Sequence, residues 1–376
     1  MTLAPGARIL MTTDAIGGVW TFAAELTRAL GEGGMEVLLV SMGPQPSQAQ
    51  RTMLGRSVTL IETDLELEWQ DPAGADAARA KAELRRIVHQ FRPDILHFNG
   101  YREAAFGWPV PTVVIAHSCV NSWAEACSDA AAFMSPAWAT YTARIAEGLA
   151  SADAWVAPSA SFRDCVKRHY GAIQEGHVIW NGIAEAYGGS LKRSFILGAG
   201  RVWDRAKNLP MLANVAAGLD WPIRIAGASS LKPGGPDAAI DHCTMLGTLS
   251  QSDMRREMQR AAIFVSPALY EPFGLSVLEA AQAGCALVLS DLPAFRELWG
   301  SAALFIDPSD VEGWRRALRS LCADRALRET LQCAAAERAR RYPLRRTVEG
   351  YSSLYDRLLM RGHQRATSPH FAEASA

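Results

Sequence analysis

Short aliphatic and β-branched runs punctuate the chain: ARILMTT, MEVLLVS, DILHFNG, TVVIAHS and AWVAPS in the first half, then FILGAG, PIRIAG, AIFVSPA and CALVLSD in the second. Helix-length amphipathic segments separate them. Strands that alternate with helices predict parallel sheets covered on both faces, and the weak alternation inside each run fits strands buried on both sides. The rhythm stops at the polar, glycine-containing stretch GIAEAYGGSLKRS, residues 182–194, and then starts afresh. The pattern therefore predicts an α/β protein of two units, residues 1–184 and 185–345. A helix over 346–361 follows after a break at Pro343, and 362–376 carries no apolar period, which predicts a disordered tail.

Composition narrows the class. The 376 residues carry 38 basic and 39 acidic side chains, a formal charge of -1, which excludes a basic nucleic-acid binder or an acidic tail on bulk charge. No apolar run approaches the ~18 residues of a membrane span. The N-terminus lacks the basic flank and apolar stretch of a secretory signal, so the expected location is cytoplasmic. Peripheral contact with the inner face of a membrane stays open, through the basic set Lys81, Arg85, Arg86 and Arg92. Seven cysteines form no CxxC pair and are odd in number, so they are read as reduced core thiols. The charge divides at residue 180 into 14 basic and 19 acidic residues before it and 24 and 20 after it, or -5 and +4. The second half suits an anionic ligand slightly better.

The most informative segment is SPALYEPFGLSVLEAAQAGCALVLSD, residues 266–291. A strand runs into a loop with Pro267, Pro272 and Gly274, and a helix begins near Leu275 or Ser276 and ends before Gly284. The N–H groups and positive dipole end of that helix open beyond a strand's carboxyl end, which makes an anion site in an open α/β sheet. Glu271 and Glu279 bracket the helix start. Eight residues of continuous helix span ~12 Å, more than the roughly 5–9.5 Å between paired hydrolytic carboxylates, so the two read as ligand-orienting groups. Upstream, ILGAGRVWDRAKNLPML places Arg201 and Lys207 just past a strand, where two cations suit a diphosphate. GAGRVW lacks the third glycine of a dinucleotide fingerprint.

EPFGLSVLEA resembles the E-P-F-G-L-x-x-L-E-A signature of the retaining glycosyltransferases of family 4, which have the two-Rossmann-domain GT-B architecture. GRVWDRAKN is similar to the same family's Arg/Lys loop. The resemblance implies that Glu271 contacts the donor sugar's hydroxyls, that the backbone N–H groups of Phe273, Gly274 and Leu275 line sugar and diphosphate, and that Glu279 holds the nucleotide's ribose. It implies that Arg201 and Lys207 hold the phosphates and stabilise the leaving nucleoside diphosphate. Gly17 and Gly18 resemble the Gly-Gly turn beside the donor phosphate and acceptor, and His117, after TVVIA, a sugar-hydroxyl partner in the cleft. Asn99 and Asp14 are weaker candidates. Tyr101, Trp123 and Trp138 are aromatic residues that suit acceptor stacking, with none chosen.

No Asp-x-Asp motif lies between strands, and DPSD at 307–310 falls too late in the chain. The expected reaction is therefore metal-independent, and the resemblance implies that it is retaining, with a nucleoside diphosphate sugar as co-substrate and no cofactor. The donor would sit mostly on the second unit. The acceptor would lie on the first, as a sugar, polysaccharide or lipid-linked molecule in cell-surface polysaccharide or glycoconjugate synthesis, and the C-terminal helix would cross back to the first unit. The alternatives are a nucleotide-sugar epimerase or hydrolase, and a non-catalytic nucleotide-sugar-binding protein.

Overall fold

A computed structural model gives the architecture, and it describes residues 6–129, 133–171, 176–184, 191–230 and 239–367. The first sheet comprises β1 (Arg8–Asp14), β2 (Glu36–Met42), β3 (Val58–Glu62), β4 (Ile95–Phe98), β5 (Thr112–Ile115), β6 (Ala154–Ala157) and β7 (His177–Val178). The second comprises β8 (Arg193–Ala199), β9 (Ile223–Ala226), β10 (Cys243–Gly247), β11 (Ala261–Ser266), β12 (Ala286–Ser290) and β13 (Ala303–Ile306). The strand orders are β3-β2-β1-β4-β5-β6-β7 and β10-β9-β8-β11-β12-β13, and every pairing is parallel. In both sheets the order reverses direction at one place, between β1 and β4 and between β8 and β11. Such a reversal opens a crevice at the strands' carboxyl ends, because the flanking crossovers leave on opposite faces.

Each sheet is filled on both faces by aliphatic side chains, in two clusters per unit. The helix Leu344–Thr367 starts directly after Pro343 and lays Tyr351, Leu354, Tyr355 and Leu358 into the first unit's core against Ile9, Met11 and Phe22. The chain so returns to the unit in which it began. That helix runs past residue 361, so the expected tail is helical as far as Thr367, and 368–376 lie outside the described residues. The cysteines are all free, as expected, but only Cys119, Cys127 and Cys285 are buried and Cys333 is exposed, which corrects the reading of all seven as core thiols.

Two stretches cross between the units side by side. Ile183 bridges to Pro343, the Leu344 N–H donates to the Ile183 carbonyl at 3.0 Å, and the Thr347 hydroxyl donates to the Trp180 carbonyl at 2.8 Å. Away from this crossing, the Glu297 carboxylate accepts the N–H groups of Ala160 and Ser161 at 2.8 Å each. A side chain of the second unit therefore caps the helix Ala160–Tyr170 of the first.

Candidate active site

The loops that leave the strands on either side of the two reversals face one another. From the first sheet come Gly17 and Gly18 after β1, Asn99 after β4 and His117 after β5; from the second come Arg201 and Lys207 after β8 and Glu271 after β11. The helix Gly18–Glu32 begins at Gly17, with φ 80° and no side-chain cap. The helix Leu275–Gln282 begins at Gly274, with φ 87° and likewise no side-chain cap. A Cβ on Gly18 would lie 3.6 Å from Leu275 Cδ1, so two uncapped helix N-termini meet across the cleft. Their first-turn N–H groups and dipoles make one electropositive mouth.

Both expected cations sit at this mouth. A Cβ on Gly17 would fall 2.2 Å from Arg201 Nη1, so the guanidinium occupies space that only glycine leaves open. Arg201 Nη2 and Nε reach Asp204 Oδ2 at 2.5 and 3.2 Å. Lys207 Nζ pairs with Glu271 Oε2 at 2.5 Å. The two loops are held together by the backbone: the Leu269 N–H donates to the Ala206 carbonyl at 2.8 Å, and Asn208 Nδ2 donates to the Pro267 carbonyl at 3.0 Å. Motifs read separately in the sequence thus form a single ion-paired cluster.

Glu279 stands further along the same helix. Burial, and then the charge of Glu25 from the opposite unit, push its carboxyl up to about 7 against the pull of Arg255. Burial also raises Glu25, against the Ala184 N–H it accepts. Burial pushes Asp14 up to about 6, against the Ile16 N–H and Arg201. The Phe273 side chain is buried in the second unit's core, so the residue can offer a ligand only its backbone.

His117 is set by a hydrogen-bonded chain that the sequence reading missed. Asn99 Nδ2 donates to the Thr12 carbonyl at 2.8 Å, which leaves Asn99 Oδ1 as acceptor for His117 Nε2 at 2.8 Å and His97 Nε2 at 3.2 Å. Both imidazoles therefore carry their proton on Nε2. His97 Nδ1 accepts from the Tyr355 hydroxyl at 2.6 Å, so the crossover helix reaches the cleft floor. Burial depresses the basicity of both rings to about 3. His117 Nδ1 is then a neutral acceptor suited to a sugar O–H. The sequence signal for this chain was the pair of polar residues, His97 and Asn99, inside the otherwise apolar run DILHFNG.

Other candidates fall elsewhere. Tyr101 is 2% exposed and donates to the Ser118 carbonyl, which removes it as a stacking platform. Trp138 packs edge-on against Phe133 and Tyr141. Of the basic set, Arg86 pairs with Glu83 at 2.6 Å and Arg85 donates to the Phe106 carbonyl at 2.8 Å. Among the described residues, one group has metal-ligand spacing, Glu125, Cys165 and His169. Arg168 contacts both Glu125 and Cys165, supplying the positive charge there itself.

The chain's sequence matches two family models, Glycosyltransferase Family 4 over residues 16–187 and Glycosyl transferases group 1 over residues 200–338. The chain belongs to glycosyltransferase family 4. This glycosyltransferase is 26% identical to glycogen synthase of Mycobacterium tuberculosis over 382 aligned positions, covering 88% of this chain and 90% of that one. Its GT-B fold superposes on sucrose-phosphate synthase from Thermosynechococcus elongatus with a TM-score of 0.80 at 17% identity, covering 94% of this chain and all of the other. It also superposes on Anabaena HepE in complex with UDP-glucose, with a TM-score of 0.73 at 16% identity, covering 93% of the glycosyltransferase and all of HepE. No helix among its described residues is long and apolar enough to cross a membrane.

Proposed function

We propose that the protein moves a sugar from a nucleoside diphosphate sugar to an acceptor hydroxyl, retaining anomeric configuration and using no metal, in the synthesis of a polysaccharide or glycoconjugate. One observation carries this reading. Arg201 and Lys207 converge with the first turns of the helices starting at Gly18 and Leu275, and each cation is pre-aimed by a carboxylate. Breaking the anomeric C–O bond builds negative charge on the departing diphosphate. Fixed cations and amides at that place lower the barrier with little reorganisation. The acceptor oxygen forms the new bond on the face the diphosphate leaves, and its proton passes to the departing phosphate oxygen.

In this reading Glu271 has two duties, orienting Lys207 and accepting from sugar hydroxyls. The neutral His117 accepts from another hydroxyl of the transferred sugar, and Glu279 accepts from the ribose. Closure of the units over the donor excludes water and limits hydrolysis. The UDP-glucose held by HepE and the glucan named in glycogen synthase belong to those proteins; they support a nucleotide sugar as donor and a saccharide as acceptor here.

The test is a thermal-shift screen of nucleoside diphosphates and their sugars, in which a bound ligand raises the melting temperature by mass action. Product analysis with the labelled donor follows. Transfer that depends on an added saccharide acceptor is the expected result, with the anomeric configuration of the product read by NMR. Free sugar or an epimer formed without acceptor dependence would favour the hydrolase or epimerase reading.

A further inference from the structure

We propose that Asp204 is a positioning residue for the phosphate-binding arginine and that Trp123, from the opposite unit, holds Asp204 in place. The grip on the donor's diphosphate then depends on the segment that follows His117. The inference rests on the nucleotide-sugar reading above.

The geometry is closed on every side. A guanidinium offers five N–H groups in a fixed planar fork. Arg201 places Nη2 and Nε on Asp204 Oδ2 at 2.5 and 3.2 Å, which turns Nη1 toward Gly17 and the mouth of the first helix. Asp204 Oδ1 is fixed separately, accepting the Ala206 N–H at 3.0 Å and the Trp123 Nε1–H at 3.2 Å. The carboxylate is 4% exposed. Burial works to raise its pKa, and Arg201, Lys207 and the Trp123 N–H outweigh burial, so it stays below the ordinary value. Asp204 also caps the short turn Arg205–Lys207 that presents the second cation. One buried carboxylate thus sets the direction of Arg201, the turn under Lys207 and the contact with Trp123.

Trp123 belongs to the helix Val120–Ala126, a few residues beyond His117. The same segment reaches the donor loops twice more. Ser122 Oγ lies 2.8 Å from the hydroxyl of Tyr270, which also accepts the Cys119 N–H at 3.2 Å, and Tyr270 immediately precedes Glu271. Asp129 pairs with Arg205 at 3.6 Å. A surface Arg–Asp pair at i,i+3 is commonplace, but here the carboxylate is buried and a donor from the facing unit completes its coordination.

The experiment measures, by titration calorimetry on the full chain, the ratio of affinities for a nucleoside diphosphate and its monophosphate, using the UDP/UMP, ADP/AMP and GDP/GMP pairs. Trp123→Phe removes the indole N–H, which is committed to Asp204, together with part of the ring that packs on Phe133. It should lower the diphosphate-to-monophosphate ratio about three- to tenfold, less than a full charge-assisted bond because it acts through Asp204, and Asp204→Asn about tenfold or more, as expected for hydrogen bonds to a charged group. The double variant should match Asp204→Asn alone, because both changes act through one carboxylate. An unchanged ratio in Trp123→Phe, additive effects, or tighter diphosphate binding in Asp204→Asn would overturn the inference. The last result would mean that Asp204 competes with phosphate for Arg201. Melting curves confirm folding, and should Trp123→Phe not fold, the Asp204→Asn ratio decides. Failure of every nucleotide to bind the wild-type chain is a separate outcome, which would overturn the functional reading and this inference with it.

Discussion

Gly17→Ala is the sharpest perturbation of the site. Gly17 has φ 80° and ψ -143°, a region that side chains other than glycine enter at a cost of about 1–3 kcal/mol. The added Cβ would also stand 2.2 Å from Arg201 Nη1, where ordinary contact begins near 3.4 Å, so the guanidinium has to retreat by about 1 Å. Loss of one charge-assisted hydrogen bond to phosphate is worth roughly 1.5–3 kcal/mol, a factor of about ten to a hundred in affinity. Against a total stability of about 5–15 kcal/mol, the backbone strain leaves the protein folded. Nucleoside diphosphate affinity by calorimetry and a melting curve separate the two parts. Gly18→Ala is the stability control, since its Cβ would meet Leu275 at an ordinary 3.6 Å. Unchanged nucleotide affinity in folded Gly17→Ala would refute the placement of Arg201 against the ligand at this helix mouth.

Four further outcomes are expected. Lys207→Ala should reduce transfer about a hundred- to a thousandfold in kcat, as removing one group that stabilises developing charge does elsewhere, and near-wild-type turnover would remove Lys207 from leaving-group stabilisation. On the proposed ribose contact, affinity for a nucleoside diphosphate sugar should fall as pH drops through about 7, where Glu279 takes up its proton and would cease to be a full acceptor. The sugar nucleotide has no ionisation of its own there, and Glu279→Gln should flatten the profile. The same raised pKa means that ionised Glu279 opposes folding, with stability highest below its unfolded value and declining as pH rises through about 7, so the melting temperature of Glu279→Gln should be less sensitive to pH there. Tyr355→Phe leaves His97 Nδ1 without the hydroxyl that it accepts from and should cost about 1–3 kcal/mol in denaturant titration; a cost near zero would mean that the chain from Tyr355 to His117 does not order the cleft floor.

How far the sequence spoke depended on burial. The nine apolar runs are β1, β2, β4, β5, β6, β8, β9, β11 and β12, the strands flanked on both sides in the two sheets. The four that escaped notice, β3, β7, β10 and β13, are the edges. Their burial patterns, such as the half-covered Val58–Glu62 and Cys243–Gly247, leave no continuous hydrophobic signal, because an edge strand meets solvent on one side. The cations and glutamates stood out because each lies in one of two short continuous motifs, 201–207 and 271–279. Asp204, His97 and Tyr355 did not, and Trp123 and Asn99 were noticed without these partners, since their meaning arises only when residues 81 and 258 positions apart touch.

The paired crossing at Ile183 and Pro343 has a consequence for engineering. Entry to and exit from the second lobe occur at the same spot, so the stretch between those residues can be exchanged as one cassette at a single seam. Exchange of that cassette with a relative's, cut at the seam and with the Glu297 and Asp204 contacts matched, should transplant the choice of nucleotide sugar while leaving the host's choice of recipient untouched.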